Sequence, residues 1–128
     1  MNELDQFIKH KLKIKHYIRY ADDFVVLSES REYLHKQIKL IDSFLKQELS
    51  LHLHPHKITI RTYASGVDFL GWVNFSDHRV IRNKTKRRML KNLKTNKNDK
   101  SLSSSLGLLN HGNTAKVKKG IIKSYIFN

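Results

Sequence analysis

The 128-residue sequence contains no cysteine, one proline and one tryptophan. Without cysteine the chain forms no disulfide and no thiolate metal site, so nothing indicates an oxidising compartment. No run approaches the roughly 18 apolar residues of a membrane span, and the first residues lack the basic-then-apolar order of a secretory signal. These absences predict a soluble, cytoplasmic protein. The length allows one compact domain, or a small domain with an appendage.

Acidic residues are nearly absent from the C-terminal part of the chain. Residues 79–128 carry 14 Lys and Arg against the single acid Asp99, a net charge of +13, whereas residues 1–78 carry 11 against 10, a net of +1. A block of one sign repels itself, which points to a polyanionic partner, most commonly nucleic acid. A disordered basic tail or a solvated helix face is the alternative. An acidic membrane surface is disfavoured because the block lacks a wide apolar face.

The first half of the chain predicts a helix, a hairpin and a second helix. Apolar residues recur on one helical face within residues 1–12. Alternation over residues 15–19 and the apolar run 24–27 flank four residues that include two acids, which predicts a buried β-hairpin with an acidic tip. Residues 30–49 then predict the clearest helix, because Ser30 suits the N-cap and apolar residues recur every three or four positions.

Strand patterns follow that helix. Alternation over residues 57–63 predicts a strand, and after a break at 64–66 a second strand runs from residue 67 to about 75. Residues 79–81 predict a short third strand that returns after a turn.

The basic C-terminal block predicts helices. From residue 83, apolar residues embedded among cations predict a helix with a narrow apolar stripe, and the polar residues 98–105 predict a linker loop. A short helix at 106–109, a turn at 111–113 and a final helix through 117–125 complete the chain. This order of elements predicts an α+β fold, with an antiparallel sheet and a helical extension.

Asp22 and Asp23 lie at the tip of the predicted hairpin. Two adjacent carboxylates repel each other and lose hydration between apolar strands, and a divalent cation would remove that cost. Oxygen ligands at a turn suit Mg²⁺, which takes one or two carboxylates and completes its octahedron with water and substrate phosphates. The alternative, which a bare Asp-Asp pair favours, is an exposed turn with both carboxylates solvated.

The residues around this pair form a motif. Residues 17–28 read Tyr-Ile-Arg-Tyr-Ala-Asp-Asp-Phe-Val-Val-Leu-Ser. The segment resembles the third conserved palm motif of reverse transcriptases, particularly those of bacterial group II introns and diversity-generating retroelements. Residues 51–58 are similar to the family's Leu-x-Leu-x-Pro-x-Lys-Thr segment, although Ile58 stands where the family has Thr. Residues 67–72 are similar to its primer grip, and the segment from Arg87 to Asn113 is similar to the start of its thumb.

The resemblance covers essentially the whole chain and implies its organisation. It implies the C-terminal part of a polymerase palm over residues 1–82, with a YADD hairpin and a primer-grip hairpin in a sheet packed on helices. A basic helical thumb follows over residues 83–128. The implied activity is that of an RNA-directed DNA polymerase, which performs two-metal nucleotidyl transfer with Mg²⁺ or Mn²⁺. Its partners are an RNA template, a DNA primer and deoxynucleoside triphosphates.

Site residues are carried over by position. The resemblance implies that Asp22 and Asp23 are the catalytic carboxylates that hold the metals, and that Tyr20 and Ala21 lie beside the primer terminus and the incoming nucleotide. Lys57 would protonate or neutralise the pyrophosphate, or else it is a surface solubiliser. Primer-grip contacts are implied for Phe69, Leu70, Gly71 and Trp72, although the apolar three are also typical core residues. The charge block and the resemblance together predict phosphate contacts at Lys84, Arg87, Arg88, Lys91 and Lys94.

A complete polymerase of this family has a further catalytic aspartate and a nucleotide-binding fingers region, both N-terminal to this motif. We therefore expect a truncated, split or excerpted enzyme that is inactive alone and requires that other portion. A stand-alone basic nucleic-acid-binding module with a vestigial acidic hairpin is the second hypothesis. The parent element, whether an intron, a retron or a diversity-generating cassette, is left open by the sequence.

Three alternating histidines, His52, His54 and His56, would share one face of a strand and so invite a zinc site. Pro55 interrupts that strand, and no acid or cysteine lies nearby in the sequence. Solvated histidines at a strand end are the favoured interpretation.

Overall fold

The computed structural model describes residues 1–96 and 98–127, and the chain divides into two compact units, Met1–Arg61 and Thr62–Asn128. Each unit contains its own cluster of buried apolar side chains. Helices and two small antiparallel sheets make up the elements, which confirms the predicted α+β class. In the described ranges, none of the helices is both long enough and apolar enough to cross a membrane. The predicted palm and thumb boundary after residue 82 concerns family regions and stays a prediction.

The first unit consists of a short helix, a hairpin and a long helix. Helix α1, Asn2–Gln6, continues as a π-helical turn over Phe7–Lys11. Strands β1, Tyr17–Tyr20, and β2, Asp23–Val26, pair antiparallel, and helix α2 spans Arg31–Leu49. The predicted first helix, hairpin and second helix are therefore confirmed.

Helix α2 begins and ends as its sequence predicts. The Ser30 hydroxyl accepts a hydrogen bond from the Tyr33 amide at 3.1 Å, which satisfies one of the free donors of the first turn. Ser50 ends the helix in the left-handed conformation, with φ of 53°. Ile41 and Leu45 on its inner face pack into one cluster with Leu4, Ile8 and Ile14.

The hairpin is half-buried, so the prediction that it is buried is wrong. Tyr17, Phe24 and Val26 pack on the cluster of the first unit. On the other face, Ile18 is 59% exposed and Tyr20 is 66% exposed. In the part of the unit that the structure describes, nothing covers that second face, because α1 and α2 both belong to the cluster on the first.

The strand predicted over residues 57–63 is also wrong. Pro55–Lys57 and Tyr63–Ser65 are 3-10 turns, and the residues between them are irregular. Alternation marks a strand only where a neighbouring strand accepts its hydrogen bonds. The two sheets of the described residues are complete without this segment, so it has no partner strand.

The second unit begins with a three-stranded meander. Strands β3, Val67–Phe69, β4, Trp72–Asn74, and β5, Arg79–Ile81, pair antiparallel in chain order. Leu70 and Gly71 connect β3 to β4 with φ values of 53° and 84°. Two positive φ values in a two-residue loop match a type I′ turn, which suits the twist of a hairpin. The single strand predicted from residue 67 to 75 is therefore two strands.

Three helices follow the meander: α3, Asn83–Thr95, α4, Asp99–Leu109, and α5, Ala115–Phe127. The predictions of α3 and α5 are confirmed. The helices and the sheet share one core, whose buried members are Trp72, Ile81, Met89, Leu93, Leu109 and Ile121.

Helix α4 corrects the loop predicted for residues 98–105. The Asn98 side chain caps it by accepting a hydrogen bond from the Ser101 amide at 2.7 Å. Leu102, Leu106 and Leu109 recur at helical spacing and pack against the core. Serine is only slightly unfavourable in a helix, so burial of one leucine face outweighs the polar composition of the segment.

Candidate functional site

The acidic turn connects β1 to β2 through two residues. Tyr20 pairs with Asp23 across the hairpin, which leaves Ala21 and Asp22 as the turn. Ala21 has φ of 50°, a left-handed conformation that costs a residue with a Cβ about 1 kcal/mol. Directly paired residues lie on the same face of a hairpin, so Asp23 shares the exposed face with Tyr20. The predicted metal ligands therefore stand beside an open aromatic ring.

A charged network joins this turn to helix α1. The Arg19 guanidinium donates two hydrogen bonds to the Asp5 carboxylate, from Nε at 2.8 Å and from Nη2 at 2.5 Å. The Tyr17 hydroxyl donates a third to the same carboxylate at 2.8 Å. Arg19 Nη1 also donates to the Ala21 carbonyl oxygen at 2.7 Å. The guanidinium thus holds the backbone of the left-handed turn residue and fixes it to the first helix.

The electrostatics of the network agree with its geometry. The hydrogen bonds from Arg19 hold the pKa of Asp5 well below its usual range, so the carboxylate is ionised. Burial, together with the hydrogen bond to Asp5, raises the pKa of Tyr17 and keeps its hydroxyl protonated. The Arg19 and Asp5 side chains are only 19% and 24% exposed, so solvent screens the pair weakly.

Sequence reasoning missed the roles of Asp5 and Arg19. The two residues are 14 positions apart, and nothing in the spacing pairs them. The available signal was an arginine directly before Tyr20, on the inward face of an otherwise apolar strand, which requires a buried partner.

The carboxylates of Asp22 and Asp23 are exposed, and within residues 1–96 and 98–127 neither has an ion pair or a side-chain hydrogen bond. Two unpartnered carboxylates at one turn fit the donor set of Mg²⁺, whose remaining positions are filled by water and phosphate. The described residues contain no group of three or more His, Asp or Glu side chains arranged to hold a metal. The turn therefore offers a partial ligand set.

The histidine segment lies elsewhere in the first unit and does not form the pattern that zinc requires. His52 lies in an irregular segment, and His54 and His56 flank Pro55 at a 3-10 turn, with ring centroids 5.8 Å apart. Without a strand, the alternation does not bring three imidazoles onto one face. Lys57 ends the same 3-10 turn and is exposed, and no ion pair joins it to either turn aspartate among the described residues.

The residues compared with the primer grip divide into an exposed and a buried group. Leu70 is 47% exposed on the β3–β4 turn beside Gly71, and Phe69 is half-buried. Trp72 is 7% exposed and belongs to the core of the second unit, where the Arg79 guanidinium lies 4.8 Å above its ring. The turn is therefore the accessible part of this segment.

Helix α3 carries a basic face. Its five predicted phosphate-binding residues are all exposed and lie within an arc of about 120°, at 100° per residue, opposite the buried Met89 and Leu93. None of the five forms an ion pair with another described residue. These residues, called the α3 basic face below, are Lys84, Arg87, Arg88, Lys91 and Lys94.

Comparison with known families identifies the family of this chain. The model of the reverse transcriptase (RNA-dependent DNA polymerase) family matches residues 1–74, more than half of the chain, from α1 through β4. A search among curated proteins finds no match. The matched segment contains the acidic turn, its Arg19 and Asp5 supports, and the β3–β4 turn. The chain therefore belongs to the reverse transcriptase family.

Proposed function

We propose that this chain supplies the metal-binding turn and the template–primer contacts of an RNA-directed DNA polymerase, as the C-terminal palm and thumb portion of an enzyme of the group II intron or diversity-generating type. The observation that carries the proposal is the turn itself. In a member of this family, two exposed carboxylates without partners among the described residues stand at a hairpin tip, which Arg19 holds by a hydrogen bond, beside an exposed tyrosine.

Each part of the tip has its own role in this proposal. Asp22 and Asp23 hold Mg²⁺, or Mn²⁺ in its place, which when bound neutralises triphosphate charge and activates the primer hydroxyl. Tyr20 presents a ring that is 66% exposed to the sugar and base at the primer terminus. Ala21 adds only a methyl group to the turn, which leaves room for the incoming nucleotide. Arg19 keeps the turn in place, so positioning precedes substrate binding.

The α3 basic face binds the phosphates of the template–primer duplex. Its cations are exposed and unpaired, so phosphates replace water and counterions rather than existing ion pairs. An RNA–DNA hybrid is recognised by its A-like shape and backbone, which a helix face of regularly spaced cations contacts without reading bases. Leu70 and Gly71 on the β3–β4 turn contact the primer backbone. Lys57 neutralises the departing pyrophosphate.

Catalysis requires one more carboxylate than the turn provides. Two-metal sites of polymerases bind both ions through several carboxylates. Among the described residues, no third acidic or histidine side chain joins Asp22 and Asp23 to form such a group. We therefore propose that a region bearing the further aspartate and the nucleotide-binding fingers completes the site. The chain alone is expected not to extend a primer, and adding a polypeptide with that region should restore extension.

Paramagnetic relaxation tests the metal site directly. Substoichiometric Mn²⁺ added to the ¹⁵N-labelled chain should broaden the amides of residues 20–24 first, and the double variant Asp22→Asn/Asp23→Asn should lose this broadening. The matched control is Glu29→Gln/Glu32→Gln, which removes two exposed carboxylates from the same unit and should leave the broadening intact. Broadening centred on residues 52–56 instead would show that the histidines, not the turn, bind the metal.

The second candidate is a stand-alone nucleic-acid-binding module whose acidic hairpin is vestigial. The partial ligand set of the turn favours it. In that case the chain would bind hybrid duplexes through the α3 basic face, yet Mn²⁺ would not broaden the turn and complementation would not restore extension.

A further inference from the structure

A groove of about 480 Å³ lies in the second unit and is lined by none of the residues of the α3 basic face. Its walls are the β4–β5 turn on one side and the α4–α5 turn on the other, with Tyr63 at one end. The volume lies within the range of about 300–1,000 Å³ that small-ligand sites occupy. None of the site residues assigned above lines it.

One wall of the groove carries two stacked rings. The rings of Phe75 and His78 stack with centroids 4.7 Å apart and an angle of 12° between their planes. His78 is held in this position by a 2.8 Å hydrogen bond between its Nδ1 and the Asp77 carboxylate. The Phe75 ring is backed by Gly66, where a Cβ would come within 2.9 Å of two ring atoms. The His78 side chain remains 40% exposed, so a further flat ring has room to stack.

Arg79, the residue after His78, supplies a cation whose side chain reaches the α4–α5 turn. The Arg79 guanidinium lies over Trp72, and its Nε donates to the His111 carbonyl oxygen. A 2.9 Å hydrogen bond from the Asn113 amide to the Arg79 carbonyl closes the same contact. Arg79 has no ion pair among residues 1–96 and 98–127, so its charge is not neutralised by the protein. His111 and Asn113 also line the groove.

The chemistry of the two walls narrows the ligand. An aromatic stack and a guanidinium in the lining of one groove suit a flat base joined to one anionic group. Asp77, the one carboxylate among the described lining residues, is already engaged by His78. A free triphosphate would demand several cations or a metal with carboxylate ligands, and the groove has a single guanidinium. One phosphate of a polynucleotide chain matches that single charge.

We propose that this groove binds one unpaired nucleotide of an RNA or DNA strand, with its base stacked on His78 and its phosphate against Arg79. The inference rests on the proposed nucleic-acid-binding function and adds a site that contacts bases, where the α3 basic face contacts only phosphates. An unpaired nucleotide is available wherever template or primer extends beyond the duplex.

The test compares two octanucleotides with the same phosphates. One is octauridylate and the other is its abasic counterpart, and both are titrated into the full chain by fluorescence anisotropy. Stacking of a base contributes enough to strengthen binding about tenfold, so the wild type should prefer octauridylate by about that ratio. His78→Ala should reduce the ratio towards one, and Phe75→Leu should do the same. The matched control is His56→Ala, an exposed histidine of the other unit.

The outcomes separate this inference from the proposed function. Neutralising the α3 basic face should weaken both octamers alike and leave their ratio unchanged, and loss of Mn²⁺ binding should not affect the ratio at all. Amide spectra of each variant establish that it is folded. Equal ratios for folded His78→Ala, Phe75→Leu and His56→Ala would overturn the proposal. Uridine monophosphate that shifts the His78 resonances at the same concentrations as octauridylate would overturn the assignment to a strand.

Discussion

The two units of this chain differ in how they treat their acidic side chains. In the second unit each of the three acids has a partner: Asp68 pairs with Arg82, Asp77 with His78, and Asp99 accepts a hydrogen bond from Tyr125. The cations of its α3 basic face have none among the described residues. In the first unit Arg19 and Asp5, which hold α1 to the hairpin, are paired with each other, and none of the described residues forms an ion pair with Asp22 or Asp23.

Some charged side chains of this chain stabilise the fold, and others are exposed and available to ligands. Arg19 and Asp5 are mostly buried and hydrogen-bonded, and removing either would leave an unpaired charge in a poorly solvated place. Asp22, Asp23 and the α3 cations are exposed and cost the fold little. Under the proposed function, a metal ion at the turn and phosphates at the helix would each relieve the repulsion between these like charges.

The largest expected effect comes from removing the unpaired cations of the second unit. Arg87→Ala/Arg88→Ala/Lys91→Ala should weaken binding of an RNA–DNA hybrid by about two decades at 50 mM salt, equally for all sequences. The slope of log K against log salt should flatten by about three units, because three fewer counterions are released. Titrations at several salt concentrations measure both quantities.

Its control removes the same charge from the first unit, through Lys9→Ala/Lys36→Ala/Lys39→Ala, three exposed lysines. A slope that changes equally for the two triple variants would mean that net charge alone, and not the α3 basic face, determines binding.

The second prediction concerns Gly112, at the turn that packs on the core of the second unit. A Cβ there would lie 2.3 Å from Cζ3 of the buried Trp72 and 2.9 Å from the Arg79 carbonyl oxygen, and neither can move aside easily. Gly112→Ala should therefore destabilise this unit by about 2–3 kcal/mol. Hydrogen exchange of the α4 and α5 amides measures the loss.

Gly107 provides the matched control, since a Cβ at this position in α4 would meet nothing within 4 Å. Gly107→Ala should stabilise the helix by roughly 0.5–1 kcal/mol. Equal effects at the two positions would contradict the packing of the α4–α5 turn against Trp72.

The third prediction concerns the ion pair between Asp5 and Arg19 in the first unit. Asp5→Ala leaves Arg19 without its partner and should destabilise the hairpin by about 2 kcal/mol, the scale of hydrogen bonds to charged groups. Exchange of the β1 and β2 amides should accelerate, while Glu3→Ala, an exposed acid of the same helix, should change it little. Unchanged exchange in Asp5→Ala would show that the network does not hold the turn.

The pH dependence of this effect has a defined sign. The pKa of Asp5 is lower in the folded chain than its usual value of about 3.9, so the pair stabilises the fold above that value. Its contribution is lost progressively as the pH falls below about 4, where the unfolded chain binds the proton first. The difference in stability between the wild type and Asp5→Ala should accordingly shrink between about pH 5 and pH 2.

The smallest expected effect is at the start of α4. Asn98→Ala removes the side chain that caps the Ser101 amide and should cost about 1 kcal/mol, seen as fraying of the first turn. Ser103→Ala, at an exposed position inside the same helix, should be neutral or slightly stabilising. Equal protection in both variants would argue against the cap.

Sequence patterns correctly predicted the elements that are determined by interactions between residues close together in the chain. Ser30 marked the start of α2, and alternation on either side of Asp22 and Asp23 marked the hairpin, because caps and turn chemistry act over a few residues. The failures were non-local. Residues 57–63 alternate like a strand, but no described strand pairs with them. Residues 98–105 have the composition of a loop, but they form the start of a helix because Leu102 packs against the core.

The candidate site was predictable to the same extent. Asp22 and Asp23 were proposed as the site from the motif around them; the family match covers that segment, and their role stays a prediction. The Asp5 support was not predictable, because it depends on how α1 lies against the hairpin. The groove beside Arg79 was missed for the same reason, since its walls are about 30 residues apart in sequence.

The backbone hydrogen bond that joins the α4–α5 turn to β5 has a consequence for the order of folding. Strands β3 to β5 pair with near neighbours and close short loops, which is fast. The hydrogen bond from Asn113 to Arg79 instead closes a loop of more than 30 residues and requires α3 and α4 to form in between. We therefore expect the meander to form early and this contact late, so that a chain emerging from the ribosome acquires its groove only after the α4–α5 turn has been synthesised.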